Sequence, residues 1–337
     1  MLTSESVSRL FNDFNRLRVM VVGDVMVDSY LFGHVDRISP EAPVPVVAVS
    51  KRSDRLGGAA NVALNLKALG AEAILCSVVG DDYKGLTFNE LLIEYKLPVH
   101  GIIKSKERTT TTKFRVIGNN VQMLRVDEED THDLSLTETK ELLFTIRKIV
   151  DHDQIDAIIL QDYNKGVLTP EIIETVISLA KAKNIPVSVD PKKKNFLAYK
   201  NATFFKPNLK ELQEGLHVSI KAGGLSTIVE AISELQSLLQ VDYVMTTLSE
   251  RGLLIRYPDG DQLKELHLPA HLRSIADVSG AGDTVISVAT LCLALQQEAE
   301  NIAALANLAG GIVCEEVGVV PIDKNKFHDE VLRLMVR

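Results

Sequence analysis

Short apolar runs alternate with amphipathic segments along most of this chain, and that alternation constrains its fold more than any other feature. Arg18–Gly23 (RVMVVG) reads as a strand ending in glycine. The segment 58–69 reads as a helix, with Val62, Leu66 and Leu69 at helical spacing. Further buried strands are expected over 73–80, 156–161, 185–190 and 243–247, each followed by a helical segment. Strands that are apolar on both faces need cover on both faces, so the pattern predicts an α/β fold: a three-layer αβα sandwich around a mainly parallel sheet. In such sheets ligands bind beyond the carboxyl ends of the strands.

Two segments break this rhythm. The stretch 32–50 is proline-punctuated and extended (ISPEAPVPVVAV), and 109–126 (TTTTKFRVIGNNVQMLRV) has hairpin chemistry around Gly118-Asn119-Asn120. Neither fits a strand–helix–strand crossover, so both are expected in a small β lid beside the main sheet.

Composition narrows the partners. With 37 Lys and Arg against 45 Asp and Glu, the net charge is −8, which argues against general nucleic-acid binding and against an anionic membrane surface. Cys76, Cys292 and Cys314 lie in apolar runs without CxxC spacing and read as reduced core residues of a cytoplasmic protein. The N-terminus has no uninterrupted apolar segment of the export type. The longest apolar stretch, 285–295, is too short to span a bilayer and reads as a buried helix.

The strongest chemical signal is Asp277–Thr284, DVSGAGDT. Gly280, Ala281 and Gly282 present successive backbone N–H groups at a helix N-terminus, an anion site by geometry and by helix dipole. Asp283 within it is either a cap for those N–H groups or a base beside an oxyanion hole for a transferring phosphoryl group. Gly57-Gly58-Ala59-Ala60-Asn61 opens another helix, either as a tight turn with a cap or as part of a ligand pocket. Asp24 and Asp28 follow the first strand, where carboxylates can accept hydrogen bonds from sugar hydroxyls or simply cap a turn. The sequence contains no GxxxxGK[ST] and no GxGxxG, which removes a Walker loop and weakens a dinucleotide site. No Gly-x-Ser-x-Gly elbow exists for hydrolysis. His267 and His271 are separated by Pro269 and make a poor zinc pair.

Together, GGAAN early and DVSGAGDT late resemble the ribokinase-like (PfkB) family of carbohydrate kinases. VVGDVMVDSY (21–30), RISPEAPVPVV (37–47), DPK (190–192) and PNLKE (207–211) are similar, within that family, to the kinase half of bacterial bifunctional heptose-phosphate kinase/adenylyltransferases. The resemblance implies ATP with Mg²⁺ as the phosphoryl donor. It implies Asp283 as the catalytic base and Gly280, Ala281 and Gly282 as the anion hole. It also implies Asn208 and Glu211 as an NxxE element, with Glu211 acting indirectly on the metal. Thr247, Ser249 and Gly252 would border the nucleotide, and Asn307 would lie near the adenine. Asp28, Gly57, Gly58 and Asn61 would line the sugar pocket.

The implied reaction phosphorylates the anomeric hydroxyl of D-glycero-β-D-manno-heptose 7-phosphate to the 1,7-bisphosphate, in the synthesis of ADP-heptose for lipopolysaccharide. Another sugar or sugar phosphate is the alternative within the family, and a non-catalytic binding protein the alternative outside it. Four basic residues, Arg37, Lys113, Arg115 and Lys165, fall in segments expected around the sugar pocket, as ligands for the far phosphate or as solvated lid charges. The bifunctional relatives continue into a nucleotidyltransferase domain whose HxGH motif is absent here, so residues 1–337 are expected to be one kinase domain. Gln161 in QDYNKG departs from the serine expected there. The resemblance further implies a homodimer formed through the lid.

Overall fold

The computed structural model describes residues 3–220 and 224–336. In chain order the first half contains α1 (Ser4–Asp13), β1 (Arg18–Gly23), β2 (Val25–Ile38), β3 (Pro45–Gly58), α2 (Ala59–Ala68), β4 (Glu72–Gly80), α3 (Tyr83–Glu94), β5 (Ile102–Ser105), β6 (Thr112–Gly118) and β7 (Val121–Glu128). There follow α4 (Leu136–His152), β8 (Ala157–Gln161), α5 (Pro170–Ala182), β9 (Val187–Asp190), β10 (Phe204–Phe205), α6 (Leu209–Leu216) and α7 (Leu225–Leu239). The chain closes with β11 (Tyr243–Thr247), β12 (Leu253–Asp259), β13 (Gln262–Leu268), α8 (Ala281–Ala294), α9 (Ala299–Val313) and α10 (Lys324–Met335).

Nine strands form the main sheet in the order β13-β12-β11-β10-β9-β8-β1-β4-β5. Pairing is parallel from β11 through to β5, and only the β11–β12 and β12–β13 pairs, at one edge, are antiparallel. The side-chain alternation of β1 shows why its run is continuously apolar. Val19 and Val21 enter one core layer, with residues of α1, α2, α8 and α9. Met20 and Val22 enter the opposite layer, with residues of α4, α5 and α7. The sheet is therefore sandwiched between two apolar cores, as the sequence pattern predicts. Truncating a side chain such as Leu160, wholly buried here, costs about 2–5 kcal/mol.

The structure departs from the expected regularity in three places. β9 leads to β10 through turns rather than a helix, and β11 leads through a short 3₁₀ turn (Ser249–Arg251) into the β12–β13 hairpin. Cys314 is only half-buried at the end of α9, whereas Cys76 and Cys292 are core residues.

The lid is larger than expected. It is a four-stranded sheet in the order β3-β2-β6-β7, and β2 and β3 each run 14 residues, from 25 to 38 and from 45 to 58. Extended residues that the sequence places beside the sugar pocket, among them Asp28 and Gly57, are thus lid strands themselves. The 109–126 segment forms the expected hairpin, β6–β7, turning at Asn119 and Asn120 with φ of 51° and 64°.

Candidate active site

The carboxyl ends of the parallel strands converge on the N-terminus of α8. Gln161 ends β8, Asp190 ends β9, Lys206 follows β10 and Thr247 ends β11. Gly280 caps α8 in the left-handed region, φ 82°, which favours glycine, and a Cβ there would also press on Asn61 at 3.2 Å. Gly282 faces the buried Lys206: a Cβ at Gly282 would lie 3.6 Å from Lys206 Nζ. Helix-terminal amides and a nearby ammonium both favour an anion.

Asp283 in that first turn is buried, and side chains from other elements hold its carboxylate. Asn61 Nδ2 donates to Oδ2 at 2.6 Å. The Tyr163 hydroxyl and Gln161 Nε2 donate to Oδ1 at 2.8 and 3.1 Å. Burial pushes its pKa up to about 6; the Asn61 hydrogen bond opposes this and the neighbouring Asp190 carboxylate adds to it. A carboxylate poised there is ionised at neutral pH and has a useful proton affinity. The carboxylate spends these hydrogen bonds on Asn61, Gln161 and Tyr163, from outside its own helix, rather than on capping the first-turn amides.

The glycine pair before α2 makes the tight turn and cap. Gly58 caps the helix with φ 62°, and a Cβ there would lie 2.4 Å from Asp24 O. A Cβ at Gly57 would lie 2.3 Å from Asp28 Oδ2, so Gly57 makes room for that carboxylate, while the cap aims Asn61 at Asp283.

Asp24 is a turn organiser. Its carboxylate accepts backbone N–H bonds from Tyr163, Lys165 and Val167 at 2.8, 3.0 and 3.0 Å, which shapes the loop carrying Tyr163. Asp28, by contrast, accepts from Arg115 Nη1 at 2.6 Å.

Of the other basic residues expected around the sugar pocket, Lys113 and Lys165 are also paired. Lys113 Nζ lies 3.1 Å from Asp127 and 3.5 Å from Glu129, and Lys165 Nζ lies 2.7 Å from Glu129. Arg37 is not brought to the site. It is exposed and lies nine residues beyond Asp28 on the same strand, about 30 Å at 3.3 Å per residue. The continuous β2 carries it toward the lid tip.

On the other side of α8, Asn208 and Glu211 form a capping box at α6: Asn208 Oδ1 accepts from Glu211 N at 2.8 Å, and Glu211 Oε2 accepts from Asn208 N at 2.9 Å. Glu211 also bonds Lys192. Asn208 bridges to Thr247, and the turn behind it places Ser249 at φ 55° and Gly252 at φ 86°. A Cβ at Gly252 would strike Leu268 O at 2.0 Å. Asn307 Nδ2 donates to Pro269 O at 2.8 Å, fastening the loop before DVSGAGDT onto α9.

Sequence reasoning missed five neighbours of Asp283: Gln161 as its hydrogen-bond donor, Tyr163, Asp190, Lys192 and Lys206. Asp190 and Lys206 form a buried ion pair at 3.1 Å. All five stand at the end of a buried parallel strand or within two residues of it, a position that could have singled them out.

A buried carboxylate, helix-terminal amides and paired lysines at the carboxyl ends of a parallel sheet, with a β lid attached, suit a phosphotransferase acting on a hydroxyl. The comparisons make the class specific. The profile described as pfkB family carbohydrate kinase matches residues 16–325, and the chain belongs to that family. It is 41% identical over 313 residues to the bifunctional protein HldE of Methylobacillus flagellatus, covering 93% of this chain and 63% of that protein. It is 36% identical to the bifunctional protein HldE of Syntrophotalea carbinolica, covering 96% of this chain and 65% of that protein. The chain thus spans somewhat less than two thirds of these relatives. Its fold matches phosphofructokinase-2 from Escherichia coli, crystallised with potassium, at a TM-score of 0.76 and 19% identity over 95% of this chain and all of that one. The protein is a sugar kinase of ribokinase-like fold.

Proposed function

We propose that this kinase transfers the γ-phosphoryl group of ATP to the anomeric hydroxyl of D-glycero-β-D-manno-heptose 7-phosphate, giving the 1,7-bisphosphate for ADP-heptose synthesis in the cytoplasm. The observation that carries the phosphoryl-transfer reading is the Asp283 carboxylate, buried and held by three donors at the N-terminus of α8. The acceptor hydroxyl gives its proton to Asp283 as its oxygen bonds the γ-phosphorus, and the amides of Ala281 and Gly282 with Lys206 meet the charge on the phosphoryl oxygens.

The nucleotide would lie along Thr247, Ser249 and Gly252, with Asn307 near the adenine. The Mg²⁺ accompanying ATP is supported by few protein ligands. Among the described residues no group of three or more His, Cys, Asp or Glu side chains could hold a metal, and Glu211 is committed to Lys192 and its helix cap. The ion would remain with the phosphates and their waters, and Glu211 would reach it through water.

The heptose phosphate assignment is supported by the identity to HldE proteins and by RISPEAPVPVV. Arg115 and Lys113, with Lys165, lie around Asp28 and Glu129 where the lid meets the main sheet. A second reading, a kinase for an unphosphorylated sugar, is favoured by the fact that each of these cations already has a carboxylate partner. A homodimer through the lid is supported by β7, where Val121, Met123, Leu124 and Val126 are exposed on an unpaired edge strand. A coupled ADP-release assay with heptose 7-phosphate, fructose phosphates and ribose tests the assignment. The heptose phosphate should give the highest kcat/KM, and a preference for any other acceptor overturns it.

A further inference from the structure

The three donors on Asp283 are unevenly distributed. Oδ1 accepts from both Tyr163 and Gln161, whereas Oδ2 accepts from Asn61 alone. A carboxylate oxygen has two lone pairs. Oδ1 is therefore full, and one lone pair of Oδ2 is left for a reacting group.

Both Oδ1 donors have fixed roles. Gln161 is buried, and its Nε2 donates to Asp190 Oδ2 at 3.2 Å as well as to Asp283. The reverse amide orientation would set its carbonyl oxygen against two carboxylates. Its Oε1 is instead buried without a hydrogen-bond partner among the described residues, so an acceptor is left unpaired to keep the donor on the acids. Tyr163 is a neutral donor at all working pH, because burial and the adjacent Asp283 and Asp190 charges hold its phenol well above the ordinary range. The charged groups facing Asp283 are Asp190 at the end of β9, Lys192 beyond it and Lys206 beyond β10; α2 contributes the neutral Asn61. Lys192 Nζ also lies 5.7 Å from the Tyr163 ring centroid.

We propose that Gln161 and Tyr163 are positioning residues that together occupy Oδ1 of Asp283, direct the acceptor hydroxyl to the open lone pair of Oδ2, and keep the carboxylate ionised at neutral pH. The proposal rests on Asp283 being the base. In the step it describes, the hydroxyl proton passes to Oδ2 and the hydroxyl oxygen bonds the γ-phosphorus. The bond from that phosphorus to the bridging oxygen breaks, and its electron pair leaves with ADP.

The test is the pH profile of kcat at saturating ATP and acceptor for wild type, Tyr163→Phe, Gln161→Met and Asp283→Asn. Removing a donor from an ionised carboxylate raises its proton affinity. The acid limb should therefore move to higher pH by about one unit in Tyr163→Phe, since a charge-assisted hydrogen bond is worth roughly a tenfold change. Gln161→Met should move it in the same direction, and it serves where Tyr163→Phe does not fold. A merely structural role would lower kcat at every pH and leave the limb in place; an unmoved limb in the folded variants overturns the clamp. Asp283→Asn separates the two readings. If it abolishes turnover while the limb stays unmoved in the other variants, the clamp fails and the base stands; if it retains turnover, the base reading fails and the clamp with it.

Discussion

The base pocket and the lid solve opposite problems with similar residue types. Around Asp283 the carboxylate is buried and its hydrogen bonds come from neutral donors, Asn61, Gln161 and Tyr163, so burial is left to raise its proton affinity. In the lid the carboxylates Asp28, Asp127 and Glu129 each face a lysine or arginine directly, and Asp127 is held below the usual carboxylate range chiefly by Lys113 and Arg125 against its partial burial. The group proposed to exchange a proton is kept from a direct counter-charge. Groups that must hold a strand in place, or yield to an incoming phosphate, are given one. The difference separates chemistry from selectivity, and substitutions in the two regions should fail in different ways.

The largest effect belongs to the base. Asp283→Asn keeps volume and removes the proton acceptor, so kcat should fall about 10²–10⁴-fold. ATP affinity by calorimetry should change little, because the proposed anion hole, the amides of Ala281 and Gly282 with Lys206, is left intact. Retention of more than about a tenth of wild-type turnover would show that another group takes the proton.

Next is the buried ion pair beside it. Lys206→Met leaves Asp190 buried without its cation and should cost about 3–5 kcal/mol in denaturant unfolding. A loss under about 1 kcal/mol, the range of exposed pairs, would mean that the pair is solvated like the lid pairs.

The lid should respond through selectivity. Arg115→Ala should erode the preference for a phosphorylated acceptor by about tenfold, near the value of one charge-assisted hydrogen bond, with ATP KM unchanged. A uniform fall in kcat for both acceptor types would place Arg115 in the chemistry and dissolve the distinction.

The smallest effect is the pH profile of the wild type. Because Asp283 has a pKa raised to about 6 and must be ionised to act, kcat should rise with pH through that value and level off above it. A rate independent of pH between 5 and 7 would show that Asp283 does not titrate in the rate-limiting step.

Much of this contrast was legible in the sequence, for identifiable reasons. β1, β4, β8 and β11 were readable because a strand buried on both faces must be apolar throughout. Asp283 and Asn61 were readable because glycines mark the helix starts that deliver them. Arg37 was misplaced because proline punctuation around residues 40–45 conceals that β2 and β3 are each 14 residues long. Gln161 and Lys206 were missed because the Asp283 they neighbour lies far along the chain, and local pattern carries no information about which strand ends meet. Glu211 shows the limit of a motif: its spacing from Asn208 suits a capping box as well as a nucleotide site, and the structure shows the box.

In the proposed division of labour the lid cations select an acceptor which already carries a phosphate, while Asp283 performs the transfer. It is tested most directly by kcat/KM for heptose 7-phosphate and for the same heptose without phosphate, measured side by side with saturating ATP. The phosphorylated acceptor should be favoured by at least about tenfold, the worth of one charge-assisted hydrogen bond; equal efficiency on the two would contradict the account and assign the lid pairs to structure alone.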